Sequence, residues 1–157
     1  GKEIIHVWFA GVGPYAVLFA DSKNPERVHA VEKNPKACKY MEDNIEINGV
    51  EETVVPHCGD VGKIVPELEK ADRIVMPLPK SADQFLELAF ERSKKGAVIH
   101  YYRFAEKEEN NVKWSGVVEE VEEKAEKAGR EFEIVDKTVC GHYAPYMDRV
   151  CIDVKVK

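Results

Sequence analysis

The sequence predicts a mostly parallel α/β sheet with helices on both faces and an antiparallel hairpin at its C-terminal end. Three observations predict it. Short β-branched runs alternate with amphipathic stretches along most of the chain. The first run, Ile4 to Phe9, is almost wholly apolar, as a central strand covered on both faces must be. The last two strand-like runs have no helical stretch between them.

Taken in order, the first strand ends in Ala10-Gly11-Val12-Gly13-Pro14, a glycine turn that opens a helix from Tyr15 to Ala20. Val28 to Val31 forms the second strand and stops at Glu32. Asn34-Pro35 supplies an N-cap and a proline for the first helical position, and that helix runs to about Asn48 before Gly49. Thr53 to Cys58 and Arg73 to Met76 are the third and fourth strands. Ser81-Ala82-Asp83-Gln84 has capping-box spacing and starts a helix that runs to Lys95 and stops at Gly96. Ala97 to Phe104 is the fifth strand, followed by a polar loop from Glu106 to Asn111. Trp114, Val117, Val118, Val121 and Ala125 recur at helical spacing up to Gly129. Phe132 to Val139 and Val150 to Val156 then form the hairpin, joined through Gly141 to Asp148.

Composition narrows the classes. Residues 1–157 suffice for a single domain, and 44% hydrophobic with 33% charged residues is an ordinary globular balance. No apolar run reaches the ~18 residues of a membrane helix, so no membrane partner is expected. Gly1-Lys2-Glu3 leads directly into the first strand without a secretory signal, which points to the cytoplasm. Lys plus Arg total 23 against 29 for Asp plus Glu, a net charge of −6 that argues against a self-sufficient nucleic-acid binder. Cys38, Cys58, Cys140 and Cys151 show no metal-ligand spacing, so no metal is expected and the thiols read as reduced.

Three features share the carboxyl edge of the sheet, where open α/β folds bind ligands. Gly11 and Gly13 permit close approach of a ligand to the backbone. Glu32, about 20 residues on, suits the two hydroxyls of a ribose. Asp60 lies just beyond the third strand. Together they point to a cofactor containing a nucleoside.

The longer segments Phe9-Ala10-Gly11-Val12-Gly13-Pro14, Val31-Glu32-Lys33-Asn34-Pro35, Asp43-Asn44-Ile45, Gly59-Asp60-Val61, Leu78-Pro79-Lys80-Ser81-Ala82, His100-Tyr101-Tyr102 and Tyr143-Ala144-Pro145 resemble one family in order. It is the archaeal and eukaryotic class I methyltransferase family that modifies the guanosine 3′ of the tRNA anticodon at N1, with its wybutosine-pathway relatives. The resemblance implies a Rossmann-like, seven-stranded methyltransferase sheet and S-adenosylmethionine as cofactor. It places Gly11 and Gly13 at the methionine end, Glu32 at the ribose, Asp60 at the adenine, and Leu78 with Pro79 beside the target base. It also implies that tRNA is a partner only with N-terminal RNA-binding regions that carry the family's catalytic arginine and base, which precede the first strand and are absent from this sequence.

The departures cluster in the same pocket. Val7 replaces a family Asp, Pro77 an Asn, and His57-Cys58 an aliphatic pair. They fit a drifted natural domain, a relative with another substrate, or a remodelled pocket. The last reading offers a Cys/His hydrolase, with Cys58 as nucleophile, His6 as base and the Gly11–Gly13 amides as oxyanion donors. Cys58 reads more readily as a small buried hydrophobe. His100 follows the family pattern, His29 reads as structural or solvent-facing, and His142 and Cys140 reach the pocket mouth at most. A scaffold that only binds is the third alternative.

Overall fold

The computed structural model describes residues 2–78 and 80–157, so Pro79 lies outside the described residues. The elements are β1 (Ile4–Trp8), α1 (Pro14–Lys23), β2 (Arg27–Glu32), α2 (Pro35–Ile47), β3 (Val54–Cys58), α3 (Val61–Ile64) with a 3-10 turn at Val65–Glu67, and β4 (Ala71–Met76). They continue with α4 (Asp83–Arg92), β5 (Ser93–Glu108), β6 (Asn111–Val112), α5 (Trp114–Lys127), β7 (Phe132–Ala144) and β8 (Met147–Val156).

Seven strands run in the order β3-β2-β1-β4-β5-β8-β7, and β6 pairs with β5 off this path. Pairing is parallel from β3 through β5 and antiparallel at β5–β8 and β7–β8. The chain winds outward from β1 to β3, then returns to place β4 on the other side of β1. In open α/β sheets ligands bind at such a reversal, here the carboxyl ends of β1 and β4.

Alternation along β1 and β2 splits the core in two. Trp8, Val31, Met76 and Tyr101 pack with Leu86, Phe90, Val117 and Val121 of α4 and α5. Ile5, Val7, Val28, Ala30 and Val54 pack on the other face with Ala16 of α1 and Met41 and Ile45 of α2. The pocket departure at Val7 is therefore an apolar substitution inside this second cluster, where it is fully buried.

Several elements differ from the sequence expectation. Ser81 has φ +62 and gives no side-chain cap; its carbonyl accepts from Gln84 N–H at 3.2 Å instead. Helix α4 stops at Arg92 rather than Lys95, because Ser93 turns extended and joins β4 opposite Ala71. Gly96, with φ +86, lies within the register shift that follows. The expected loop at Glu106–Asn111 is the end of β5 and a tight turn into β6. The hairpin strands extend to Ala144 and from Met147, leaving only Pro145 and Tyr146 as the turn. Among the described residues no helix is long and apolar enough to cross a membrane.

Candidate functional site

The first strand ends abruptly. Phe9 adopts φ +58, a conformation that an aromatic residue rarely takes, and Ala10 N–H donates to the Val31 carbonyl at 2.9 Å. The chain then turns through Gly11 (φ +60) and Gly13 (φ +87) into α1, where Pro14 occupies the first turn. The two glycines serve different ends. A Cβ on Gly13 would stand 2.9 Å from Met41 Cγ, so this glycine lets α2 approach the turn. A Cβ on Gly11 would meet nothing within 4 Å, so this glycine faces open space.

Glu32 ties that turn to β2. Its Oε1 accepts from Gly11 N–H at 3.0 Å and its Oε2 from Asn34 N–H at 2.9 Å. Each carboxylate oxygen keeps a further lone pair, directed out of a half-exposed position. Asn44 on α2 completes the frame, donating from Nδ2 to the Val12 carbonyl at 2.8 Å. No sequence reading gave Asn44 this role; its only signal was its place in the matching Asp43-Asn44-Ile45 segment.

The third loop follows β3. Gly59 N–H donates to the Glu32 carbonyl at 2.8 Å, and Asp60 stands at the N-terminal boundary of α3, half-exposed. A Cβ on Gly62 would lie 3.0 Å from Asp60 Oδ1, so the absent side chain leaves the carboxylate its room. Leu78 is 40% exposed just past β4. Gly11, Gly13, Glu32 and Asp60 thus share one edge.

This geometry fits an adenosyl group. An open space stands above Gly11, acceptor lone pairs remain on Glu32, and a second carboxylate sits one strand away at Asp60. The glycines contribute space more than donors, since Gly11 N–H serves Glu32 and Gly13 N–H donates to the Ala10 carbonyl at 2.9 Å.

The hydrolase arrangement is not brought together. Strand β2 lies between β1 and β3, so His6 and Cys58 are not on neighbouring strands. They also face opposite sides of the sheet. His6 shares the face of Trp8, whereas Cys58 shares the face of Val54 and forms a disulfide with Cys38 of α2, with Cα atoms 5.8 Å apart. The expectation of reduced thiols therefore holds only for Cys140 and Cys151. The proposed oxyanion donors are already engaged, Gly11 N–H by Glu32 and Gly13 N–H by the Ala10 carbonyl.

His6 instead belongs to a row of rings across the sheet. Its ring meets His29 edge-on at 5.3 Å, and His29 Nδ1 lies 2.9 Å from His57 Nε2. His29 Nε2 reaches Glu69 Oε1 at 3.3 Å, consistent with its expected structural place. Burial lowers the proton affinity of all three, and of His6 to about 3, with the neighbouring His29 adding to the effect. The Glu69 main chain comes near enough to favour a charged His6 slightly, yet neither ring nitrogen attains hydrogen-bonding geometry.

A second polar group lies on β5 and β8. Ligand-type atoms of His100, Cys151 and Asp153 fall within 4.8 Å of one another. Arg73 Nη1 sits 2.7 Å from His100 Nε2, so the ring accepts there and carries its proton on Nδ1, facing Asp153 Oδ1 at 2.6 Å. This is a charge-assisted chain that leaves no lone pair on Nδ1 for an ion. His142 and the partly buried Lys107 both pair with Asp148 in the terminal hairpin. Cys140 lies exposed on β7.

Known proteins share this sequence and this sheet. The TRM5/TYW2 methyltransferase domain profile matches residues 1–135. The chain is 43% identical over 154 residues to the tRNA (guanine(37)-N(1))-methyltransferase Trm5b of Pyrococcus abyssi, covering 98% of this chain and 44% of that protein. It is 32% identical over 157 residues to a tRNA(Phe) (4-demethylwyosine(37)-C(7)) aminocarboxypropyltransferase of Methanocaldococcus jannaschii, covering 98% and 60%. The crystal structure of the Pyrococcus abyssi Trm5b superposes with a TM-score of 0.88 at 40% identity, over 99% of this chain and 44% of that one. The structure of M. jannaschii TYW2 in complex with AdoMet gives 0.86 at 31% identity, over 99% and 69%. The chain spans about half the length of these curated relatives. With its profile matched over most of its length and its sheet shared, the chain belongs to the TRM5/TYW2 methyltransferase domain family.

Proposed function

We propose that this domain binds S-adenosylmethionine at the carboxyl edge of β1, β2 and β3 and forms the cofactor half of an enzyme that modifies guanine-37 of tRNA. The observation that carries the reading is the Glu32 carboxylate, which braces the glycine turn and still presents acceptor lone pairs beside the open space above Gly11. The relatives with the same sheet include a TYW2 crystallised with AdoMet and a Trm5 crystallised with tRNALeu.

When bound, the cofactor supplies a sulfonium-activated group that passes directly to a nucleophilic ring atom of the base. The residues here bind and orient. Glu32 accepts from the ribose hydroxyls and Asp60 from the adenine amine. Gly11 leaves room for the chain that leads to the sulfonium, and Leu78 offers an apolar surface beside the incoming base. Such positioning is the main contribution a protein makes to a direct transfer. The 43% identity to a Trm5b methyltransferase supports methyl as the group transferred. A cytoplasmic site of action follows from that substrate.

Calorimetric titration with S-adenosylmethionine tests the reading. The native chain is expected to bind one equivalent. Glu32→Gln, checked as folded by its melting curve, should bind at least about tenfold more weakly, since a charge-assisted hydrogen bond contributes about 1.5–3 kcal/mol. Equal affinity in the two proteins would reject Glu32 as the ribose acceptor.

A further inference from the structure

The Cys38–Cys58 disulfide ties the first turn of α2 to the last residue of β3, the two elements that flank the place where the adenosine would lie. Glu32 and Cys58 are register partners at the ends of β2 and β3, and the last bond of that ladder runs from Gly59 N–H to the Glu32 carbonyl. Beyond it the loops part, one carrying Glu32 and Asn34, the other Asp60. Cys38 stands in the first turn of α2, its N–H bonded to the Asn34 carbonyl at 2.9 Å. The cross-link therefore fastens the start of α2, which follows Glu32 at the end of β2, to the end of β3, which precedes Asp60. It spans 20 positions of sequence.

We propose that this disulfide is a positioning element for the cofactor edge: it fixes the spacing of Glu32 and Asp60, and the oxidised chain binds the adenosine moiety more tightly than the dithiol chain. The proposal rests on the cofactor reading above. Preorganisation supports it, because a loop already held in place loses less freedom when a ligand binds. Exposure makes the bond addressable: Cys58 is solvent-exposed while Cys38 is 4% exposed. A thiolate of an external dithiol attacks the Cys58 sulfur and the S–S bond breaks. The mixed disulfide so formed is resolved by the reagent's second thiol. Two electrons and two protons end on the two cysteines, and the reagent leaves as a cyclic disulfide. A small-molecule disulfide of the glutathione class takes the same two electrons and two protons in the reverse direction.

The test uses the full chain in three forms: oxidised, reduced with dithiothreitol, and Cys38→Ala/Cys58→Ala. Thiol titration in denaturant should count two thiols before reduction, from Cys140 and Cys151, and four after it; four at the outset would overturn the cross-link. Calorimetry below the melting transition should then show adenosine and S-adenosylmethionine weakened by the same factor, about 3–10-fold, on reduction. The double variant should match the reduced chain and ignore dithiothreitol. A purely structural bond would lower the melting temperature and leave both affinities unchanged, and that result overturns the proposal. If no form binds either ligand, the cofactor reading has failed and the proposal falls with it. Hydrogen exchange slowed at residues 32–34 and 58–61 only in the oxidised chain would mark that case as a sound cross-link with the wrong ligand.

Discussion

Gly11 and Gly13 occupy the same turn and the same half of conformational space, yet the structure separates their roles. Alanine at 13 meets a left-handed backbone and the Met41 side chain together, and should cost about 2–4 kcal/mol of stability. At position 11 the backbone penalty alone applies, about 1 kcal/mol, because no protein atom occupies the space. Urea unfolding of both variants checks the difference. Gly11→Ala should then lose cofactor affinity out of proportion to its small stability loss, as its methyl enters the ligand's space. His6 allows a second residue-level prediction. Its folded proton affinity is depressed to about 3 from an ordinary 6.5, so between those values the unfolded chain binds more protons. Stability is therefore complete above pH 6.5 and falls as pH drops toward 3, by about 1.4 kcal/mol per pH unit for this one ring. His6→Leu should flatten the slope of unfolding free energy between pH 6 and pH 4 by that amount. An unchanged slope would show that His6 is not the group responsible.

At the scale of elements, two helix starts with similar sequence signals behave differently. Asn34 accepts from Lys36 N–H at 2.9 Å and Ala37 N–H at 3.4 Å, a working cap for α2. Ser81 has the same kind of side chain at α4 but is turned into a left-handed conformation one residue too early to cap. Asn34→Ala should cost about 1 kcal/mol, and Ser81→Ala should stay within about 0.5 kcal/mol, by thermal or urea denaturation. The contrast shows what local sequence can carry. Spacing found the glycine turn, Glu32 and the terminal hairpin, because each depends on neighbours in sequence. It missed the Cys38–Cys58 bond, which depends on how α2 packs against β3. The pairing of His6 with Cys58, taken from the strand order the resemblance implies, fails because β2 lies between β1 and β3 and the register sets the two side chains on opposite faces. The length of β5 escaped for a related reason: its polar end, Glu106 to Glu108, is held by pairing with β6 and β8 rather than by apolar alternation.

For the molecule as a whole, acidic residues outnumber basic ones, for a net charge of −6. The sheet concentrates Gly11, Glu32 and Asp60 at one edge, and the chain as a whole offers no cationic excess for phosphate neutralisation. The central claim is that this edge holds S-adenosylmethionine. The most direct measurement is a titration with the cofactor followed by amide chemical shifts in the isotope-labelled chain. The claim predicts saturable shifts at Gly11, Gly13, Glu32 and Asp60, with the terminal hairpin around Tyr143 and Tyr146 unmoved. Shifts confined to that hairpin, or no shifts at millimolar cofactor, would contradict it.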